Sequence, residues 1–192
     1  MILNLHAVIP GSLANGPGRR FAVWFQGCSK ACDGCFNPDT HDFAPRFPVD
    51  VRDLVSQIAA QKNVEGLSVS GGEPFEQADG LLELLRRTRK EAECGLLPPE
   101  FSILVFSGLT IEAIRTLPKG QEILDLVDVL IDGSYDAEKA APPGSFVSST
   151  NQRVHLLTSR HAMNDFRTLP EAEVIIGADG NITCSGVNSI FP

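Results

Sequence analysis

Four short apolar runs in this chain each halt at glycine. Phe21 to Gln26 stops at Gly27, and Gly66 to Ser70 stops at Gly71-Gly72. Phe101 to Phe106 stops at Ser107-Gly108, and Val127 to Ile131 stops at Asp132-Gly133. Short runs rich in Val, Ile and Phe, bounded by turn residues, read as buried strands. Helical spacing fills the gaps between them. Val49 to Gln61 carries Val51, Leu54, Val55, Ile58 and Ala59, and Leu81, Leu82, Leu84 and Leu85 precede the basic turn Arg86, Arg87 and Arg89. Cations suit the carboxyl end of a helix. Thr110 to Leu117 is a short helix with Thr110 as N-cap and Pro118 as stop. Arg153 to Leu157 and Glu173 to Ile176 bring the strands to six.

Strands that alternate with helices imply parallel pairing through right-handed crossovers. Six strands are too few for an eight-stranded barrel. The expected fold is therefore α/β: a partial, open (β/α)6 TIM-like barrel of mostly parallel strands. The 192 residues suit a single domain spanning 1–192. Its tail, from about 178 to 192, stays unplaced, and Ser134 to Thr150 reads as a long loop of the kind that often carries function. Ligands of such sheets bind beyond the carboxyl ends of the strands. All four glycine stops converge on that rim.

The net charge of −8 argues against a nucleic-acid partner and against docking on a membrane of anionic lipid. The start, Met-Ile-Leu-Asn-Leu-His, shows no basic segment followed by a long apolar one, so the expectation is a cytoplasmic protein. Cytosolic thiols stay reduced, and clustered ones there are metal-binding or catalytic.

Three of the five cysteines, Cys28, Cys32 and Cys35, fall in the loop directly after the first run. The spacing is C-x3-C-x2-C, and Gly27 and Gly34 free the backbone to wrap. A closed structural zinc site needs a fourth protein ligand. His41, Cys94 (at the end of the Leu-rich helix, buried or incidental) and Cys184 in the distant stretch NITCSG are the candidates, so zinc stays open. The alternative is an iron–sulfur cluster on three thiolates, with one iron left free to admit a substrate.

Two landmarks carry a family resemblance. The cysteine loop after an early strand resembles the cluster loop of the radical S-adenosylmethionine superfamily. SVSGGEPFEQ, Ser68 to Gln77, resembles that superfamily's GGEP motif. NGPGRR (Asn15 to Arg20), the Gly-Cys-Phe-Asn-Pro run, DVLIDGSYD (Asp128 to Asp136) and STNQRV (Ser149 to Val154) narrow the likeness to the glycyl-radical activases that serve anaerobic ribonucleotide reductase. The similarity covers most of residues 5 to 157. Gly34 stands where many superfamily members have an aromatic residue, with Phe36 just after.

The resemblance implies a [4Fe-4S] cluster in a loop spanning 27–40, on Cys28, Cys32 and Cys35, with S-adenosyl-L-methionine chelated to the unligated iron. Reductive cleavage would give methionine and a 5′-deoxyadenosyl radical, which makes a glycyl radical on a partner enzyme. The implied partners are that glycyl-radical enzyme and an electron donor such as flavodoxin or ferredoxin. Gly71 and Gly72 would let the backbone approach the methionine moiety, with Pro74 completing the motif. Glu73 would accept from its amino group, or serve only as a helix N-terminal carboxylate. Gly34, Cys35 and Phe36 would line the adenine side, with Phe36 as shield or as core. Ser107 and Asp132 would touch ribose or sulfonium, or cap turns. Asn151, with Gln152 and Arg153, would bind the cofactor or the partner's loop, or form a solvated turn. His6, His155 and His161 pair with no nucleophile, so no acid–base role is expected. Two other readings remain at this stage. One is a radical enzyme acting on a small molecule or peptide. The other is a non-enzymatic electron-transfer or zinc-stabilised module, which leaves the GGEP segment unexplained.

Overall fold

The computed structural model describes residues 1–177 and 180–186. Strand β1 (Ile2–Ser12) turns back antiparallel into β2 (Arg20–Phe25). The cysteine loop follows, and a short strand β3 (Phe47–Asp50) returns along the outer side of β1. Helix α1 (Val51–Ala60) leads to β4 (Gly66–Gly71), and α2 (Ala78–Glu93) leads to β5 (Ser102–Ser107). Two short helices, α3 (Ile111–Thr116) and α4 (Gly120–Leu124), lead to β6 (Val129–Asp132). Strand β7 (Arg153–Leu156) lies antiparallel beside β6. Strands β8 (Ala172–Ile176) and β9 (Ile182–Gly186) form a separate hairpin.

The main sheet runs β3-β1-β2-β4-β5-β6-β7. Its centre, β2-β4-β5-β6, is parallel and its margins are antiparallel. The alternating strand and helix pattern thus holds for the four glycine-stopped runs and the three crossovers between them. The expected α/β fold with an open, mostly parallel sheet is present, but four and not six of the described strands run parallel, so the six (β/α) units of the expected partial barrel are not completed. Each end of the sheet is an open edge, at β3 and at β7. Arg153 to Leu157 returns without a crossover helix, which only an antiparallel neighbour permits. Glu173 to Ile176 pairs with β9 instead of joining the sheet. Of the tail expected from about 178 to 192, residues 180–186 belong to this hairpin; residues 178, 179 and 187–192 lie outside the described residues.

The pleat assigns the two faces different work. Phe21, Val23, Phe25, Leu67, Val69, Ile103, Val105 and Leu130 share one buried cluster with the helices' Leu54, Ile58, Leu81, Leu84, Leu85, Ile114 and Ile123. The other face has no helical layer. There Leu104, Val129 and Ile131 are covered by Phe146 of the Ser134–Thr150 loop and by Phe166. Ala22 and Trp24, with Ile9 of β1, are covered by Ile175 of β8.

Arg20 ties the amino ends of three parallel strands together. Its buried guanidinium donates to Ser68 Oγ (3.1 Å), Leu67 O (2.7 Å) and Ser102 O (3.1 Å). Burial lowers its pKa to about 10, so it stays charged at neutral pH. Gly66 makes room for it: a Cβ there would lie 2.0 Å from Arg20 Nη1.

Candidate cofactor site

The carboxyl ends of β2, β4, β5 and β6 open on a cavity of about 460 Å³, a volume typical of small-molecule sites. The cysteine loop forms one wall. Its ends are pinned by Gly27 N donating to Thr40 O (2.8 Å) and Cys28 N donating to His41 O (3.2 Å). Gln26 lies beneath and donates through Nε2 to Asp39 O (3.0 Å) and Asp42 O (2.7 Å). The loop reverses at Gly27 (φ 104°) and Gly34 (φ 69°), where glycine adopts the left-handed region without strain.

The Gly-Gly-Glu segment is the second wall, and main-chain bonds join it to the first. Gly72 N donates to Phe25 O (2.8 Å) and Glu73 N donates to Gly27 O (2.9 Å). A Cβ at Gly72 would lie 2.3 Å from Gly27 O. The glycine is therefore required for the two loops to touch. Glu73 is only 3% exposed. Its Oε1 accepts from Phe75 N (3.1 Å) and Ser107 Oγ (2.9 Å), and its Oε2 from Gly108 N (2.8 Å). Burial pushes its pKa up, against these donors and the nearby Lys30 charge.

Cys28, Cys32 and Cys35 are half-buried, unpaired and line the same cavity. Burial raises the pKa of Cys35. The Asn37 N–H, 3.4 Å from its sulfur, opposes this, and the charges of Cys32 and Cys28 add to it. Among the described residues, no three histidine, cysteine, aspartate or glutamate side chains are grouped to hold a metal ion. Three thiols on one cavity wall are a soft donor set of the kind that holds iron–sulfur clusters or zinc. His41 lines the cavity as well, and its Nε2 is buried without a hydrogen-bond partner. The three thiols fit an iron–sulfur cluster, and the imidazole beside them leaves room for a fourth ligand as well.

The structure brings Cys28, Cys32, Cys35, Phe36, Gly71, Gly72, Glu73 and Ser107 to one cavity. Phe36 is 40% exposed and stacks on Tyr135, with ring centroids 4.9 Å apart, so it belongs to the rim and not to the core. Gly34, Pro74, Asp132 and Asn151 do not line the cavity. Gly34 is the exposed turn of the loop. Pro74 is buried at the start of a short 3-10 turn, Pro74–Gln77. Asp132 points to the helical side, accepting from Ile111 N (2.6 Å) and Arg153 Nη2 (2.5 Å). Burial pushes its pKa up, but Arg153, Ile111 and His155 outweigh it and leave it lowered. Asn151 donates to Ser134 O (2.8 Å) from the surface. Cys94 is exposed at the end of α2, not buried. Cys184, distant in sequence, reaches the cavity edge on β9. Its pairing with Val174 sets it on the hairpin face opposite Glu173 and Ser185.

Sequence reasoning missed Trp24, Lys30, Tyr135 and Gln26. Trp24 is the chain's single tryptophan and directly precedes the loop, which was an available signal. Gln26 had none, because its partners are main-chain carbonyls set by the fold.

Loop and cavity together fit an iron–sulfur protein of the single-cluster class. A family profile described as "4Fe-4S single cluster domain" matches residues 14–155. At finer grain, the chain is 30% identical over 162 residues to the anaerobic ribonucleoside-triphosphate reductase-activating protein of Vibrio cholerae, covering 81% of this chain and 99% of the relative. The protein of that name from Escherichia coli K12 gives the same identity and coverage. The one from Enterobacteria phage T4 is 30% identical over 158 residues, covering 79% and 93%. The chain belongs to the family of activating proteins that these relatives represent.

Proposed function

We propose that this protein is a radical S-adenosylmethionine enzyme that installs a glycyl radical on anaerobic ribonucleotide reductase. Cys28, Cys32 and Cys35 would hold a [4Fe-4S] cluster. The observation that carries the reading is the joint between the two loops, Glu73 N to Gly27 O, which sets a buried carboxylate beside three unpaired thiols in one cavity. The cluster held by Cys28, Cys32 and Cys35 would pass an electron from an external reductant to S-adenosylmethionine, the chemistry needed to give methionine and a 5′-deoxyadenosyl radical that can take a hydrogen atom from glycine.

The chain's own work is binding and shielding. Glu73 accepts from the cofactor's ammonium, and Ser107 and Gly108 fix its rotamer from behind. Gly71 and Gly72 would present main chain to the methionine portion, while their missing side chains let that main chain lie against β2 and the cysteine loop. Phe36 and Tyr135 form an aromatic rim suited to an adenine face. The names of the relatives supply the partner, and a reduced, cytoplasmic setting with a flavodoxin- or ferredoxin-type donor suits five free thiols. No helix among the described residues is long and apolar enough to cross a membrane.

Anaerobic reconstitution tests this. The expected result is about four irons per chain, as a single cubane requires, S-adenosylmethionine binding, and a glycyl signal by electron paramagnetic resonance when reductant and the reductase are added. Stoichiometric zinc without iron would overturn it.

A further inference from the structure

The family match ends at residue 155, and the aligned relatives leave 19% of this chain uncovered (100 − 81). The β8–β9 hairpin lies beyond that match, yet Thr183, Cys184, Ser185 and Gly186 line the cofactor cavity. Among the described residues, the hairpin pairs only with itself, in a two-stranded sheet apart from the main one. Among those residues, three groups of contacts hold it down. The Glu173 carboxylate accepts from Ser12 Oγ and from Leu13 N (3.0 Å). Asn15 Nδ2 donates to Ser185 Oγ (2.5 Å). Ile175 packs on Ile9, Ala22 and Trp24. Among its described residues only Ser185 is buried.

Isolated two-stranded hairpins are marginal in water, and segments with few buried apolar contacts open at low cost. Here such a segment supplies a wall of a cavity whose chemistry requires water to be kept out. We propose that the β8–β9 hairpin is a latched strap: docked, it shuts the cofactor into the cavity; undocked, it opens the helix-free face of the sheet for exchange. The strap adds retention to a cavity that the family's common region builds without it. It rests on the reading of this cavity as an S-adenosylmethionine site.

Glu173 and Ile175 hold the strap but do not line the cavity, so Glu173→Ala and Ile175→Ser release it without touching cofactor contacts. In the cluster-loaded full chain, each is expected to release labelled S-adenosylmethionine about tenfold faster than the native protein, with unchanged iron content. Hydrogen exchange in β8, β9 and at Leu13 N should speed up in parallel. Val174→Thr, on the outward face, should change neither. Native dissociation rates in both release variants overturn the strap. If the native protein binds no S-adenosylmethionine, the proposed function fails while the strap is still judged. Alkylation of Cys28, Cys32 and Cys35 in the iron-free full chain should then be faster in the release variants, and equal rates overturn it.

Discussion

Glu73 shows how one side chain can bind and also resist ionisation. Its carboxylate meets three donors, yet burial still raises its pKa above the ordinary 4.5. The ionised form accepts from an ammonium with a charge assistance that the protonated form lacks. Affinity for S-adenosylmethionine should therefore fall as pH drops through that raised value, and calorimetric titration across pH reads it. Glu73→Gln should bind weakly at every pH, with a flat profile. The linkage for stability has the opposite sense. Because the folded pKa exceeds the unfolded one, this group favours folding most below 4.5, and that contribution is lost as pH rises through the folded value. The cysteines divide just as plainly. Cys28→Ala should abolish iron retention after reconstitution, since Cys28 lines the cavity. Cys94→Ala, at an exposed helix end, should leave iron per chain unchanged. Equal iron in both variants would refute the ligand set.

Among the elements, the parallel strands depend on a contact at their other end. Gly66 and Arg20 interlock where β2 and β4 begin. A methyl group at Gly66 would meet both the guanidinium and Ser102 O, 2.5 Å away. Backbone cannot step aside as a flexible side chain can. Gly66→Ala should cost at least 1–3 kcal/mol, in the usual range for overpacking, read as a lowered urea midpoint with the slope unchanged. The four central strands and α1 to α3 were legible because each carries its signal locally: an apolar run, a glycine stop, a cap such as Thr110. Strand β1 was not. It mixes Asn4, His6 and Pro10 with apolar residues, and its pairing with β2 and β3 decides its conformation. The cysteine and Gly-Gly-Glu loops were legible for the same local reason. Asp132 stands at a strand end like Ser107 and offered the same signal. Only the pleat, which turns its carboxylate toward α3 and Arg153, removes it from the cavity.

The whole molecule is a sheet with helices on one side and a site on the other. Helices bury one face in a continuous apolar cluster, so the opposite face is left to smaller pieces: Phe146 from a loop, Phe166 from a short turn, Ile175 from the hairpin. That division leaves the helix-free side covered by small, separately held pieces, which open more readily than a continuous core. The joint between the cysteine loop and the Gly-Gly-Glu segment has a further consequence. Its main-chain part consists of peptide groups, Gly72 with Phe25 and Glu73 with Gly27, and it restricts side chains chiefly at the contact itself, where Gly72 has no room for one. Evolution is thus free to vary an exposed position such as Asp33 on the knuckle of the cysteine loop. Descendant chains can suit their outer contour to different surroundings while the cavity beneath keeps its spacing.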